Sequence, residues 1–408
     1  MNSSVPSFSD AFRRIGWSNL LAQFSEQLAL AAAPLAAVLL LSAGPSETGW
    51  LQTAQTLPFL LLSIPAGLVV DHASRRKLMV ASELLRALSL AAIVALLLLG
   101  AMNLPLLAAL GFVGAIGTVC FSVAAPALVA SQVPRAQLSD ANRWLELARS
   151  AAFTAGPALG GALVGWTGAP TAYVLATTLS LLAVFCLAGL PRDEVLAKQK
   201  RDLLHDLKEG AGFVLRHDLL RPILVTAVFF NIGWFVLQAI YVAYAVQDLG
   251  LTATEVGITL GIYGGGMIVG ALMAPALARR VSFGTTILLG PIGGFGAALI
   301  MLLTLWLPSV WIAGLSFFLF GAGPVLWAIS TMTLRQAVTP NAMLGRVSAF
   351  VMTATLGARP LGAAMGAAIA AHAGVTACLF AAAGCFAIQL LVIVGSSVPK
   401  LQQLPDAI

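Results

Sequence analysis

Charged side chains at depth in a very apolar chain are the residues with chemistry to explain. Of 16 Asp and Glu, Glu26 and Glu146 sit well within long apolar segments, and Arg149 and Arg359 are cations at similar depth. Ionised groups surrounded by hydrocarbon are costly, so such positions are functional candidates by default. Glu26 has no obvious cation beside it in sequence and suits a proton carrier or a cation-binding carboxylate. Glu146 is a second proton-coupling candidate, although Arg149 follows it at i, i+3, where the two can simply neutralise each other. Arg359 fits either an anionic group of a substrate or a salt bridge between two parts of the chain. Neutral polar residues extend the pattern. Asn19, Gln23 and Glu26 recur at i, i+4, i+7 on one helical face, and Asn231, Trp234, Gln238 and Tyr241 make a similar stripe further on. With Arg149 and Arg359 they form the candidate substrate cavity.

The elements that must hold these residues are membrane helices. The chain has 408 residues, 59% hydrophobic and only 9% charged, with a mean hydropathy of +0.95. That balance excludes a water-soluble globule. A span needs roughly 20 apolar residues, and about twelve are expected, at 15–42, 49–70, 78–99, 104–130, 140–166, 170–190, 220–246, 255–278, 284–306, 309–333, 346–371 and 374–396. They are too long and too uniformly apolar for barrel strands. The 22 Lys and Arg fall at or near alternate gaps between the spans, or inside a span. The gaps near 43–49, 100–104, 165–170, 248–255, 307–309 and 372–374 hold none. By the positive-inside rule the basic gaps and both termini are cytoplasmic, and the expected location is the cytoplasmic membrane of a bacterium. Counted from the basic end at ~1.5 Å per residue, Glu26 lies about 17 Å and Arg149 about 14 Å into a ~30 Å core, with Arg359 somewhat deeper.

The net charge of +6 therefore points to anionic lipid headgroups, with no role for nucleic acid. Arg13 and Arg14 before an apolar run resemble a signal peptide, but the run has no convincing cleavage site and reads as the first membrane helix. Cys120, Cys186, Cys378 and Cys385 lie in apolar runs without pairing or metal-ligand spacing and read as packing residues. The polar segment 191–218 divides the chain into an N-terminal half, 1–190, and a C-terminal half, 219–408. It reads as a cytoplasmic linker whose Leu203, Leu204, Leu207, Phe213 and Val214 suit an amphipathic helix on the membrane surface. The halves repeat each other: Gln132-Val133-Pro134 through Leu138 and then Gly156-Pro157 recur as Gln336 through Pro340 and then Arg359-Pro360. Tandem six-span halves with a midplane site between them are a transporter architecture.

Short motifs carry a family resemblance. Gly67-Leu-Val-Val-Asp71-His-Ala-Ser-Arg75-Arg76-Lys77 resembles the loop signature of the major facilitator superfamily between spans two and three, with His72 where Arg is usual and Ser74 where Gly is usual. In that resemblance Gly67, Asp71, Arg75 and Arg76 form a gating loop, a carboxylate held against a helix N-terminus with guanidinium groups pairing nearby acids. Gly156-Pro157-Ala158-Leu159-Gly160-Gly161 matches the core of the motif associated with antiporters in that superfamily, and small residues there also let helices approach closely. Across nearly its full length the chain is similar to the bacterial exporter branch that includes the enterobactin exporter and macrolide efflux proteins, through Ser25-Glu26-Gln27, Leu138-Ser-Asp-Ala-Asn142, His217-Asp-Leu-Leu-Arg221-Pro222 and Leu344-Gly345-Arg346-Val347.

The expected fold is thus all-α and membrane-integral, with twelve transmembrane helices in two pseudo-symmetric halves. The expected function is secondary transport by alternating access: proton-coupled export, by antiport, of a drug-like or siderophore-like molecule, with proton-coupled uptake by symport as the alternative. Partners are a small-molecule substrate, protons and membrane lipids, and a monomer is expected because the cavity lies within one chain. No Ser-His-Asp, Cys-His or Walker-type arrangement is present and His72, His205, His217 and His372 are scattered, so an enzyme, a cofactor, a metal site or a non-transporting sensor is not expected.

Overall fold

A computed structural model describes residues 10–132, 138–190 and 203–405. The chain runs through α1 (Asp10–Leu41), α2 (Pro45–His72), α3 (Arg75–Leu98), α4 (Leu104–Gln132), α5 (Leu138–Thr167) and α6 (Ala169–Ala188). The shorter α7 (Leu203–Arg216) leads into α8 (Leu220–Gln247), α9 (Ala253–Ala278), α10 (Phe283–Leu303), α11 (Val310–Val338) and α12 (Leu344–Val394). Among the described residues there is no strand. Backbone groups in hydrocarbon must be satisfied within their own segment, so a chain this apolar folds as helices.

α12 is two spans in one run. Gly374, at φ 77° and ψ −179°, interrupts it, which splits it into limbs 344–373 and 375–394. The break falls in the expected gap at 372–374. With α12 counted twice and α7 set aside, the helices supply the twelve spans. Nine of the described helices are long and apolar enough to cross a membrane. The remaining two are α2 and α5, which carry Gln52, Gln55, Glu146 and Arg149.

The two ends of the bundle are built differently. Ser42, Gly100, Gly168, Gly250 and Gly374 adopt positive φ, and all five lie at gaps without Lys or Arg, where consecutive helices reverse within a few residues. Trp50, Trp166, Trp306 and Trp311 are exposed near that end, and Trp17 and Trp144 near the basic end. Tryptophan at both levels is the pattern of a membrane-interface belt.

In the first half α1 packs on α5 and α6, and α3 on α4 and α6; in the second α8 packs on α12, and α11 on α9 and α10. The halves meet where α5 lies on α9 and α2 on α12. α7 does not rest on the membrane surface alone. Val214 is fully buried with Leu220, Ile287, Leu334 and Val347 of the second half, and Arg346 grips α7 through Asp206 at 2.8 Å and Glu209 at 2.7 Å. Residues 191–202 lie outside the described residues, as does the repeat segment 133–137.

Candidate functional site

A cavity of about 390 Å³ lies between the halves, within the range of small-molecule sites. α1 contributes Glu26 and Gln27, α2 contributes Gln52, Gln55 and Phe59, and α3 contributes Arg86. α5 adds Arg149 and Phe153, α8 adds Asn231, Trp234, Phe235 and Gln238, α9 adds Tyr263, and the first limb of α12 adds Arg359. Neither α10 nor the limb 375–394 lines it. The walls differ in kind. The first half brings most of the charge, whereas the second brings rings: Trp234 stacks on Tyr263 at 5.0 Å and meets Phe317 and Phe320 edge-on at 5.8 Å and 5.0 Å.

Glu26 is not without a cation. Arg86 on α3 places Nη1 3.9 Å from Glu26 Oε2, and its Nη2 donates to Glu83 Oε2 at 2.7 Å and to the Ala22 carbonyl of α1 at 2.8 Å. Ser180 of α6 donates to the same Glu83 oxygen at 2.8 Å. Glu83 and Arg86 are buried at 0% and 3% exposure, so one buried guanidinium lies between a buried carboxylate and a second, Glu26, that faces the cavity. Depth along the apolar segments singles out Glu26 and Glu146 and leaves out Glu83, which is the buried acid. The signal was an i, i+3 acid and cation in an otherwise apolar span; being near the basic end, it was not counted as deep.

Glu146 is elsewhere. Its side chain is 61% exposed, it contacts Arg149 at 3.4 Å, and it does not line the cavity. A helix enters its span gradually, and α5 begins at Leu138, so Glu146 stands only about two turns inside. Arg149, one turn deeper, reaches the cavity with its guanidinium over Phe153 at 5.4 Å. Arg359 spans the halves, over Phe59 of α2 at 5.8 Å and Phe235 of α8 at 5.5 Å.

Of the two polar stripes, Glu26, Asn231, Trp234 and Gln238 reach the cavity; Asn19, Gln23 and Tyr241 do not. Asn19 is only 9% exposed. Tyr241 is fully buried against Phe317 with its hydroxyl paired to Thr259 at 2.5 Å. A helical stripe wider than the cavity mouth must turn some members into neighbouring helices.

The small-residue motif works on two faces. A Cβ on Gly156 would stand 2.5 Å from Gln27 Cβ, and one on Gly160 3.2 Å from Ala31 Cβ, both on α1 of the same half. On Gly161 it would stand 2.5 Å from the Ala253 carbonyl oxygen and 2.6 Å from Gly257 Cα, both on α9 of the other half. Pro157 lines the cavity. Further closure comes from Gly49 against Ala367 and from Gln247 Nε2, which donates to the Ala43 carbonyl at 3.1 Å. These contacts all lie toward the end without basic gaps. On the side of the basic gaps, Arg149 lines the cavity and is half-exposed.

In the expected gating loop, Gly67 and Asp71 belong to α2 and their surroundings lie outside the described residues. Ser74 has φ −61° and accepts from the Lys77 amide at 3.3 Å. It is a helix N-cap, so this position does not need the conformational freedom of glycine. Arg76 donates to the Leu187 carbonyl at 3.3 Å and to the Ala188 carbonyl, at the negative end of α6, and makes further contacts besides. Arg75 also makes contacts of its own.

The sequence model of the Major Facilitator Superfamily matches residues 15–363. The chain belongs to the Major Facilitator Superfamily. It is similar to the multidrug efflux pump Tap of Mycolicibacterium fortuitum, 28% identical over 368 residues that cover 86% of this chain and 87% of the pump. It is also similar to the enterobactin exporter EntS of Citrobacter koseri, 27% identical over 256 residues, 62% of this chain and 59% of that protein. Solved structures share the fold at lower identity. A bacterial homologue of the iron transporter ferroportin in its inward-facing state superposes with TM-score 0.75 at 15% identity, over 94% of this chain and 98% of that one. The POT family transporter PepTSo superposes with TM-score 0.77 at 13% identity, over 95% of this chain and 98% of that one. This superfamily member is a multi-pass secondary transporter, and the cavity between its halves is its candidate transport site.

Proposed function

We propose that this transporter exports a drug-like or siderophore-like molecule across the cytoplasmic membrane of a bacterium, in exchange for protons, with Glu26 as the coupling carboxylate. The observation that carries this reading is that Glu26, at the cavity wall, shares Arg86 with the buried Glu83. Ionised, Glu26 shares Arg86 with Glu83; with a proton on Glu26, Arg86 answers to Glu83 alone. Arg86 also holds the Ala22 carbonyl, so the charge on Glu26 bears directly on how α1 sits against α3. A proton arriving from the periplasm thereby favours the form open toward the basic end, which positive-inside topology places in the cytoplasm along with both termini. Substrate then enters among Gln238, Asn231 and the aromatic wall. In this reading the six-span halves are 1–190 and 219–408, joined by the linker 191–218, one chain suffices, and Glu146 and Arg149 pair at the mouth. The relatives named as an efflux pump and an exporter support the direction. The test is Glu26→Gln in vesicles bearing a proton gradient. Loss of gradient-driven export with substrate binding largely retained supports the proposal, and normal export by that variant removes Glu26 from the mechanism.

A further inference from the structure

We infer that the transported molecule carries an oxyanion, such as a carboxylate, bound between Arg359 and Arg149, with an aromatic body against Phe59, Phe235 and Trp234. The inference rests on the reading of the inter-half cavity as the transport site.

The three cavity arginines are not equivalent. Arg86 is committed, to Glu83, to the Ala22 carbonyl and to Glu26. Arg359 is paired with no acid among the described residues, and its Nε is buried without a hydrogen-bond partner. The neighbours set against its guanidinium are the Phe59 and Phe235 faces, one from each half. Aromatic faces favour a cation, yet they offer no acceptor to a group with five N–H donors. A salt bridge between the halves, the other role open to Arg359, has no carboxylate to make it here. Arg149 lines the same cavity over Phe153, and among the described residues its one acid contact is the long one to exposed Glu146.

Glu26 is within electrostatic reach of Arg149 and Arg359, but its nearest cation is Arg86, so one shared carboxylate faces three guanidinium groups and the cavity keeps a positive excess. A cationic occupant would face Arg149 and Arg359 with one already shared carboxylate to hold it. An oxyanion gives Arg359 the planar, two-point acceptor that a guanidinium matches best. Flat rings attached to it find Phe59, Phe235 and Trp234 at the same wall, and the cavity volume admits a molecule of that size.

The full-length protein in detergent can be titrated by calorimetry with three matched probes: 2-naphthoate, neutral 2-naphthalenemethanol, and 2-naphthylmethylammonium. Preference for the naphthoate is expected, together with a loss of about tenfold or more in its affinity in Arg359→Gln, the cost of removing a charged hydrogen-bond donor, and little change for the alcohol. Arg149→Gln, at a half-exposed position, gives the second arm should Arg359→Gln fail to fold, and is expected to show the same selective loss. Equal binding of the three probes, preference for the amine, no binding of the naphthoate, or unchanged naphthoate affinity in these variants overturns the inference. Binding is read without a gradient. A failure here leaves proton-driven export standing, and a failure of proton coupling leaves the anion site standing.

Discussion

Gly161→Ala should shift the transporter toward its other face. The added Cβ would lie 2.5 Å from the Ala253 carbonyl oxygen and 2.6 Å from Gly257 Cα, against an ordinary contact of 3.4 Å or more. Both obstacles are backbone of α9, so the halves must part by roughly 1 Å at this point, and overpacking of this kind costs about 1–3 kcal/mol. The penalty falls only on the state in which the end without basic gaps is closed. At tenfold per 1.4 kcal/mol, the equilibrium moves by roughly 5- to 150-fold toward opening at that end. Gly156→Ala is the control: its Cβ meets Gln27 within the same half, a contact kept whichever way the halves rock, so it should lower stability without moving the equilibrium. The assay is labelling of Gln52→Cys, a cavity residue on α2, by an impermeant maleimide added on the side of the non-basic gaps. Cys120, Cys186, Cys378 and Cys385 are first replaced by Ala. Faster labelling in Gly161→Ala than in the parent or in Gly156→Ala is expected. Equal labelling in all three would refute the claim that this approach holds the halves together.

Two further expectations concern the network and the linker. Arg86→Gln leaves the buried Glu83 without its cation and the cavity-lining Glu26 without its nearest one, and should cost about 3–5 kcal/mol, read as a lowered unfolding temperature in detergent; adding Glu83→Gln should restore a good part, and an unchanged melting temperature in the single variant would sink the network reading. His217, between α7 and α8, accepts at Nδ1 from the Leu219 amide at 3.1 Å and the Leu220 amide at 3.4 Å, and burial holds its pKa below the ordinary 6.5, with Asp218 opposing. The unfolded chain therefore takes up the proton first, and the stability His217 contributes is lost as pH falls through 6.5. His217→Asn keeps an acceptor and should flatten the melting-temperature decline between pH 7 and pH 5; identical slopes would contradict the cap.

How much was legible in the sequence follows from what each residue's position encodes. Hydropathy and the alternation of basic gaps marked the spans, because lipid acts on each helix separately, and the break at Gly374 fell in a marked gap. Glu26, Arg149, Arg359, Asn231, Trp234 and Gln238 were singled out as polar groups at depth, and all six line the cavity. Asn19, Gln23 and Tyr241 share those helical faces yet turn elsewhere, since periodicity fixes a face but not how far the cavity runs along it. Glu83 and Arg86 were passed over because their contact with Glu26 is made between α1 and α3, a tertiary fact that spacing within one span does not carry. The two faces of the Gly156–Gly161 motif were hidden likewise: small residues announce close approach without naming the partner helix. For α7, amphipathicity marked an apolar face, and the second half's core, rather than lipid, covers part of it, while Arg346 holds the acidic Asp206 and Glu209.

The most direct test of proton exchange uses proteoliposomes loaded with a pH-sensitive dye and a transported ligand chosen by thermal-shift screening of the purified protein. With no gradient imposed beforehand, substrate leaving the vesicles by this carrier should acidify the lumen, and Glu26→Gln should abolish that acidification. Substrate and protons leaving together, so that the lumen turns alkaline, or acidification that persists in Glu26→Gln, would contradict the account.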